Sequence, residues 1–309
     1  MRNTCPICLE MTDSGIPHGH CLRELYGTET APALDVALVD LEALAIQTVN
    51  RRLSVTGVQK KLSLSTLPSK EGERLTIVGA LGGTHILKPP ASEYPGMPQL
   101  EHWTMRLAHR CGLEAASSGL VFLTSGEPAF LVRRFDRAKG RRIHVEDLCQ
   151  LSVQPTIDKY RSSMERVMSI VRRFTTAPGD DALRIFDVTV FCLLVGNSDM
   201  HLKNWSLVRD EGRVRLSPAY DLLPTRLLLA DPEESALPIH GRKAWLERSD
   251  LLALAAHARI PEKVATTHMQ SMARKLLQAM EDIPSPWVTA GQAEALRDHV
   301  ATMATRLSK

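Results

Sequence analysis

In the segment VGNSDMHLKNWSL, Val195 to Leu207, an apolar run from Val188 to Val195 stops at Gly196. Asn197, Asp199, His201, Lys203 and Asn204 follow at once. Asp199 and Asn204 are separated by four residues, the spacing D-x-x-x-x-N. A short loop of this kind can present two groups to one phosphate. Its carboxylate accepts or orients the proton of an attacking hydroxyl, and its amide oxygen ligates a metal ion on the phosphates. Asp and Asn also cap helices and fold turns, so the spacing alone leaves capping open.

Other residues narrow the choice. Asp221, within Pro218-Ala219-Tyr220-Asp221-Leu222-Leu223-Pro224, lies seventeen positions after Asn204. A second carboxylate on the next turn is what a Mg²⁺–nucleotide site needs, because Mg²⁺ prefers carboxylate, phosphate oxygens and water. Upstream, His85-Ile86-Leu87-Lys88-Pro89 places a lysine at the end of an apolar strand. Glu101, thirteen positions later, stands where it could pair with that lysine, as a lysine–glutamate pair does in kinases. A lone lysine at a strand end is ordinarily solvated; the ordered set Lys, Glu, Asp-x4-Asn, Asp is more specific. Neither a P-loop nor a G-x-G-x-x-G is present. Ser54-Val55-Thr56-Gly57-Val58-Gln59-Lys60-Lys61 offers hydroxyls and lysines to phosphate in their place, although a plain turn has the same composition.

The elements that must position these groups follow from the pattern. Residues 60–90 alternate apolar and polar side chains between turn signals, which predicts strands and hairpins. Glu101 to Gly112 has helical spacing of Trp103, Leu107 and Cys111, and Leu120 to Phe135 reads as two more strands. From Val145 onward the pattern is mainly helical, interrupted by a hairpin near 206–216 and broken at Pro261, Pro284 and Pro286. The expected class is α+β, a bilobal protein-kinase-like fold with a strand-rich N-lobe at 31–136 and a helical C-lobe at 137–309. Residues 1–30 are read as a small Cys/His module.

The 309 residues carry 38 Lys+Arg against 35 Asp+Glu, so the net charge of +3 is too small to imply nucleic acid. No segment approaches the ~20 apolar residues that span a bilayer. The first thirty residues show no apolar signal-peptide core, and the reading is a cytoplasmic protein. Cys111, Cys149 and Cys192 sit in apolar surroundings and read as core. Cys5-x2-Cys8 and His18-x2-Cys21 offer three thiolates and an imidazole, a possible structural Zn²⁺ set, with His20 competing with His18. A small cysteine-containing helical cap is the alternative.

The motifs S-V-T-G-V-Q-x-K, I-L-K-P, R-R-F-D-R, V-E-D-L-C-Q, G-N-S-D-M-H-L-K-N and P-A-Y-D-L-L-P occur in this order. Together they resemble the HipA-like serine/threonine kinases of bacterial toxin–antitoxin systems, over about Ser54 to Pro224. The resemblance implies ATP and Mg²⁺. Lys88 becomes the ATP-phosphate lysine with Glu101 as partner, and Arg133 to Phe135 the hinge at adenine. Asp136 is placed beside the ribose, Gln150 near the nucleotide, and Tyr220 by the base. Asp199 becomes the catalytic base, His201 a phosphate contact, and Asn204 and Asp221 the Mg²⁺ ligands. Ser54 and Thr56 match loop positions that such kinases autophosphorylate. Only 53 residues precede Ser54, which resembles the shorter HipT branch. There a separate HipS-like protein acts as antitoxin beside a HipB-like DNA-binding protein. Arg133 stands where HipA has a glutamate, and Thr56 where a HipT relative has serine.

By this resemblance the target is an aminoacyl-tRNA synthetase, with no membrane and no direct DNA binding. The rivals are a small-molecule kinase and a non-catalytic nucleotide-binding regulatory subunit. The basic run Arg133 to Arg142 is either a solvated hairpin or a docking edge for an acidic partner or tRNA.

Overall fold

The structure is a computed structural model, and it describes residues 3–12, 16–41, 61–70, 72–78, 82–138, 140–229 and 233–309. The loop with Ser54 and Thr56 lies outside the described residues. The chain divides into two compact units, the first built from Met1–Arg106, Ala116–Arg134 and Ile283–Val288.

In this first unit β1 (Leu62–Ser69), β2 (Gly72–Val78), β3 (His85–Lys88), β4 (Ser118–Phe122) and β5 (Pro128–Arg133) form one antiparallel sheet. The strand order is β2-β1-β3-β5-β4, which puts the short β3 at the centre. Successive strand side chains point to opposite faces. Leu62 pairs with Leu87, and Leu87 with Leu131, so these leucines share a face. That face packs against Cys5, Ile7, Leu22 and Leu25, the last two from helix α1 (Gly19–Tyr26). Lys88 and Phe130, the neighbouring pair, take the other face. Cys5, Ile7, Cys8, Cys21, Leu22 and Leu25 are therefore part of this unit's core.

Helix α2 spans Met97–Arg110, beginning four residues before the predicted start. Pro98 is tolerated there because the first-turn N–H groups have no intrahelical partner. Trp103, buried on this helix, donates its indole N–H to the carbonyl of Ile283 at 2.9 Å.

The second unit comprises Leu107–Ala115, Phe135–Asp282 and Thr289–Lys309. Its helices are α3 (Leu148–Leu151), α4 (Met164–Phe174), α5 (Pro178–Val195), α6 (Arg248–His257), α7 (Glu262–Asp282) and α8 (Ala290–Ser308). Helix α5 is buried without a break from Val188 to Val195, which explains an apolar run lacking amphipathic period. Pro178 opens it, and Gly196 ends it at φ 71° in the left-handed region that glycine enters freely. A Cβ at Gly196 would lie 3.0 Å from the Arg226 Cβ and the His299 Nε2.

The predicted hairpin near 206–216 forms as β9 (Ser206–Asp210) and β10 (Arg213–Leu216). The helical reading from Val145 is corrected at its start. His144–Asp147 is strand β8, pairing with β9 so that Val145 lies opposite Val208. Two short strands, β6 (Arg137–Ala138) and β7 (Arg141–Arg142), make a hairpin of the basic run.

Candidate active site

In the first unit, Lys88 ends the central strand and Glu101 sits one turn into α2, and the two form a buried ion pair. The ammonium also lies over the Phe130 ring, 5.2 Å from its centroid. Taking both charges from water is costly, and their pairing offsets part of that cost. A cation held this rigidly suits a fixed anionic target better than a lysine on a solvated strand end.

Arg133 ties the last strand of the sheet to its neighbours. Its backbone N–H goes to Ser117 O at 2.8 Å, and its guanidinium to Glu24 O at 2.6 Å, at the end of α1. The Arg134 N–H likewise donates to Thr84 O at 2.9 Å. Cys5, Cys8, His18 and Cys21 also come together in this unit, their ligand atoms within 4.8 Å of one another.

In the second unit, the left-handed Gly196 turns the chain out of α5 into a loop that bonds to itself. The Asp199 N–H donates to Asn197 Oδ1 at 3.1 Å, and His201 N–H to Asp199 O at 2.8 Å. The Asn204 amide nitrogen donates to the same Asp199 O at 2.8 Å, which leaves its oxygen as the acceptor for a metal. Asn204 thus closes the loop on Asp199 and does not cap the end of α5. Ser198 is pinned through its N–H and hydroxyl to Thr225 Oγ1, at 2.8 and 2.9 Å.

Asp199 Oδ1 accepts a hydrogen bond of 2.6 Å from the Tyr160 hydroxyl, whose ring meets His201 edge-on at 5.0 Å. Burial, and then the bond to Asp199, push the Tyr160 pKa up, so the phenol stays a donor. Burial pushes the His201 pKa down and keeps the ring neutral, against the opposing pull of Asp199. His201 Nδ1 is buried without a hydrogen-bond partner among the described residues. A buried polar atom of this kind calls for a ligand group.

Asp221 sits at φ 55°, an uncommon conformation for a side-chain-bearing residue, and its carbonyl receives the Asn197 amide at 3.4 Å. Tyr220, immediately before it, donates to Lys203 O at 2.7 Å, and its ring lies 5.5 Å from that of Phe135, tilted by 40°. Asp199, His201, Asn204, Tyr220, Asp221 and Phe135 are thus tied into one network. Gln150 forms, with Asp147, the reciprocal cap of α3. Asp136 pairs with Arg137. A cavity of about 220 Å³ beside the loop is lined by Met200, Asn204, Trp205 and Ser217. It is smaller than the usual ligand pocket of about 300–1,000 Å³.

Two contacts and one residue, Tyr160, escaped the sequence reading. Lys203 Nζ binds the Asp147 carboxylate at 2.8 Å, and Leu148 N–H donates to Trp205 O at 2.9 Å. Both lie within motifs already noted, G-N-S-D-M-H-L-K-N and V-E-D-L-C-Q, so their co-occurrence was a usable signal. Tyr160 carried none.

The family description HipA-like C-terminal domain matches residues 53–282. The chain is 32% identical over 269 residues to the “Putative kinase Y4mE” of Sinorhizobium fredii, covering 81% of this chain and 62% of that one. It is 27% identical over 258 residues to the serine/threonine-protein kinase toxin HipA of Shewanella oneidensis, covering 75% and 57%. It thus spans less than two thirds of the length of these relatives. A structure of Shewanella oneidensis MR-1 HipA, solved with HipB and operator DNA, superposes with a TM-score of 0.69 at 24% identity, covering 86% of this chain and 70% of that chain. That match carries the α+β, kinase-like fold. With the family description matching well over half of its length, the chain belongs to the family of the HipA-like C-terminal domain.

Proposed function

We propose that the chain is an ATP- and Mg²⁺-dependent protein serine/threonine kinase, the toxin of a type II toxin–antitoxin system. The observation that supports it most is the closed loop in which Asn204 is pinned to the Asp199 carbonyl while Tyr160 holds the Asp199 carboxylate.

Asn204, through its amide oxygen, and Asp221, through its carboxylate, are the residues to hold Mg²⁺. Mg-ATP when bound supplies the transferable γ-phosphoryl group and the cation that spreads its charge. Asp199 accepts or orients the proton of the substrate hydroxyl. Lys88, steadied by Glu101, is assigned to the α/β phosphates, and His201 Nδ1 offers a further phosphate contact. Tyr220 and Phe135 present an aromatic pair to the base, and Asp136 is assigned to the ribose. The described residues include no helix long and apolar enough to cross a membrane, and a cytoplasmic setting is proposed.

The relative named as a serine/threonine-protein kinase toxin, and the structure holding HipA with HipB and operator DNA, support the toxin reading. On this reading a HipS-like antitoxin and a HipB-like DNA-binding protein accompany the chain. Its target is an aminoacyl-tRNA synthetase, and its own loop is modified at Ser54 or Thr56. The test is labelled ATP with purified protein and whole lysate, wild type against Asp199→Ala. The expected result is a discrete labelled protein and a labelled Ser54 or Thr56 peptide, both lost in the variant with ATP binding retained. Labelled metabolite alone would reassign the enzyme to small molecules. Unchanged transfer by Asp199→Ala would remove Asp199 from its role.

A further inference from the structure

Three of the six cysteines, Cys5, Cys8 and Cys21, are buried together as free thiols, an odd number that disulfides cannot absorb. The chain is bent to gather them. Leu9 N–H donates to Cys5 O at 3.0 Å, Cys5 N–H to Glu10 O at 2.9 Å, and Thr4 bridges Met11. Leu9 takes φ 67°, a left-handed conformation that costs a leucine free energy and that the turn between the cysteine pair and the returning chain requires. The knuckle puts both thiols on one side.

Helix α1 brings the remaining groups. His18 Nδ1 lies 3.3 Å from Cys8 Sγ and 3.9 Å from Cys21 Sγ. A tetrahedral Zn²⁺ with thiolates at about 2.3 Å and imidazole at about 2.0 Å separates its ligands by roughly 3.5–3.8 Å, so these spacings fit without rearrangement. The other ring nitrogen, His18 Nε2, faces Met11 O at 3.1 Å. A proton held there by the carbonyl leaves Nδ1 with its lone pair free, the tautomer a metal needs. His20 also approaches Cys21 Sγ, at 3.3 Å through Nε2, but its ring is exposed and stacks on the outside of His18.

We propose that Cys5, Cys8, His18 Nδ1 and Cys21 hold one structural Zn²⁺, and that the ion clamps α1 onto the sheet that carries Lys88. The clamp is visible in the contacts. At the end of α1, Leu25 O faces His85 Nε2 at 2.8 Å, and Glu24 O takes the Arg133 guanidinium. His85 opens β3 and Arg133 closes β5, so α1 holds the two strands at the register pair His85↔Arg133. On the knuckle, Pro6 O accepts the Leu120 N–H of β4 at 2.8 Å. Gly119 leaves room for this approach, since a Cβ there would lie 2.8 Å from the Leu25 side chain and 3.2 Å from Ile7. An eight-residue helix is marginal by its own hydrogen bonds, and four filled coordination positions add to the packing that holds it on the sheet. The site is closed, so its role is structural.

The inference does not depend on the kinase reading, and its test reads metal and protection. The full chain, purified without chelator and with ZnCl₂, is assayed by elemental analysis, and separately loaded with CoCl₂. About one Zn²⁺ per chain is expected in wild type and His20→Ala, and under about a tenth of that in Cys8→Ser and His18→Ala. Co²⁺-loaded wild type should show thiolate-to-cobalt charge transfer and the intense visible bands of tetrahedral coordination. Removal of the metal should speed amide exchange in β3 and β5 at least about tenfold. Should Cys8→Ser or His18→Ala fail to fold, wild-type stoichiometry and the cobalt spectrum decide. Metal-free wild type, an octahedral cobalt spectrum, or metal lost by His20→Ala and kept by His18→Ala would each overturn the assignment. Unchanged exchange on metal removal would overturn the clamp.

Discussion

Replacing Glu101 by alanine isolates the buried pair with Lys88, whose side chains are 1% and 4% exposed. The substitution leaves an ammonium in the sheet interior, against Phe130 and without its carboxylate. Removing one member of such a pair costs about 3–5 kcal/mol, most of it desolvation left uncompensated. Against a total stability of about 5–15 kcal/mol, this is a large share. Native-state amide exchange measures it locally at Leu87 in β3 and Leu131 in β5, which pair directly. An opening free energy lowered by 3 kcal/mol speeds exchange there by a little over 100-fold. The double variant Lys88→Met with Glu101→Leu removes both charges at similar volume, and exchange should return to within about tenfold of wild type. Phosphotransfer should stay absent in both variants, which separates the pair's cost to folding from its role at phosphate. Exchange at Leu87 in Glu101→Ala within threefold of wild type would refute the reasoning, since it would mean that water reaches Lys88.

Gly196→Ala should destabilise the chain by about 1–2 kcal/mol for the left-handed backbone, and by more for the crowding at His299, read as a lowered thermal midpoint. Lys203→Met should strip the Asp147 carboxylate of its cation, costing about 1–3 kcal/mol and reducing kcat, because Asp147 caps α3 beside Trp205; full activity would remove the pair from the loop's support. His85, His201 and His299 are all held neutral chiefly by burial, with pKa values below the usual 6.5. The unfolded chain therefore binds more protons in the window between those depressed values and 6.5, so stability is full above about pH 6.5 and falls on acidification. Urea midpoints at pH 8 and pH 5.5 check this, and a midpoint that rises on acidification would contradict it.

The sequence by itself carried the chemistry that neighbours along the chain can encode. Asp199 and Asn204 are legible because one loop must hold both. The β9–β10 hairpin is legible because alternation and a Glu211-Gly212 turn are local signals. Lys88 and Glu101 could be matched as types, but their burial and pairing depend on α2 packing over the face of β3 opposite Leu87. The helical reading at Val145 went wrong because strand β8 is made by its pairing with β9, more than sixty positions away. Tyr160 reaches Asp199 across 39 positions and Arg133 reaches Glu24 across 109, and no periodicity records either. The same limit held for the proposed metal set, where spacing put His18 forward and left His20 as its competitor. The Met11 carbonyl, 3.1 Å from His18 Nε2, is the contact that favours His18 Nδ1 in that proposal. Side-chain type and local spacing are written in the chain, whereas protonation, burial and partner are set by groups that only folding brings near.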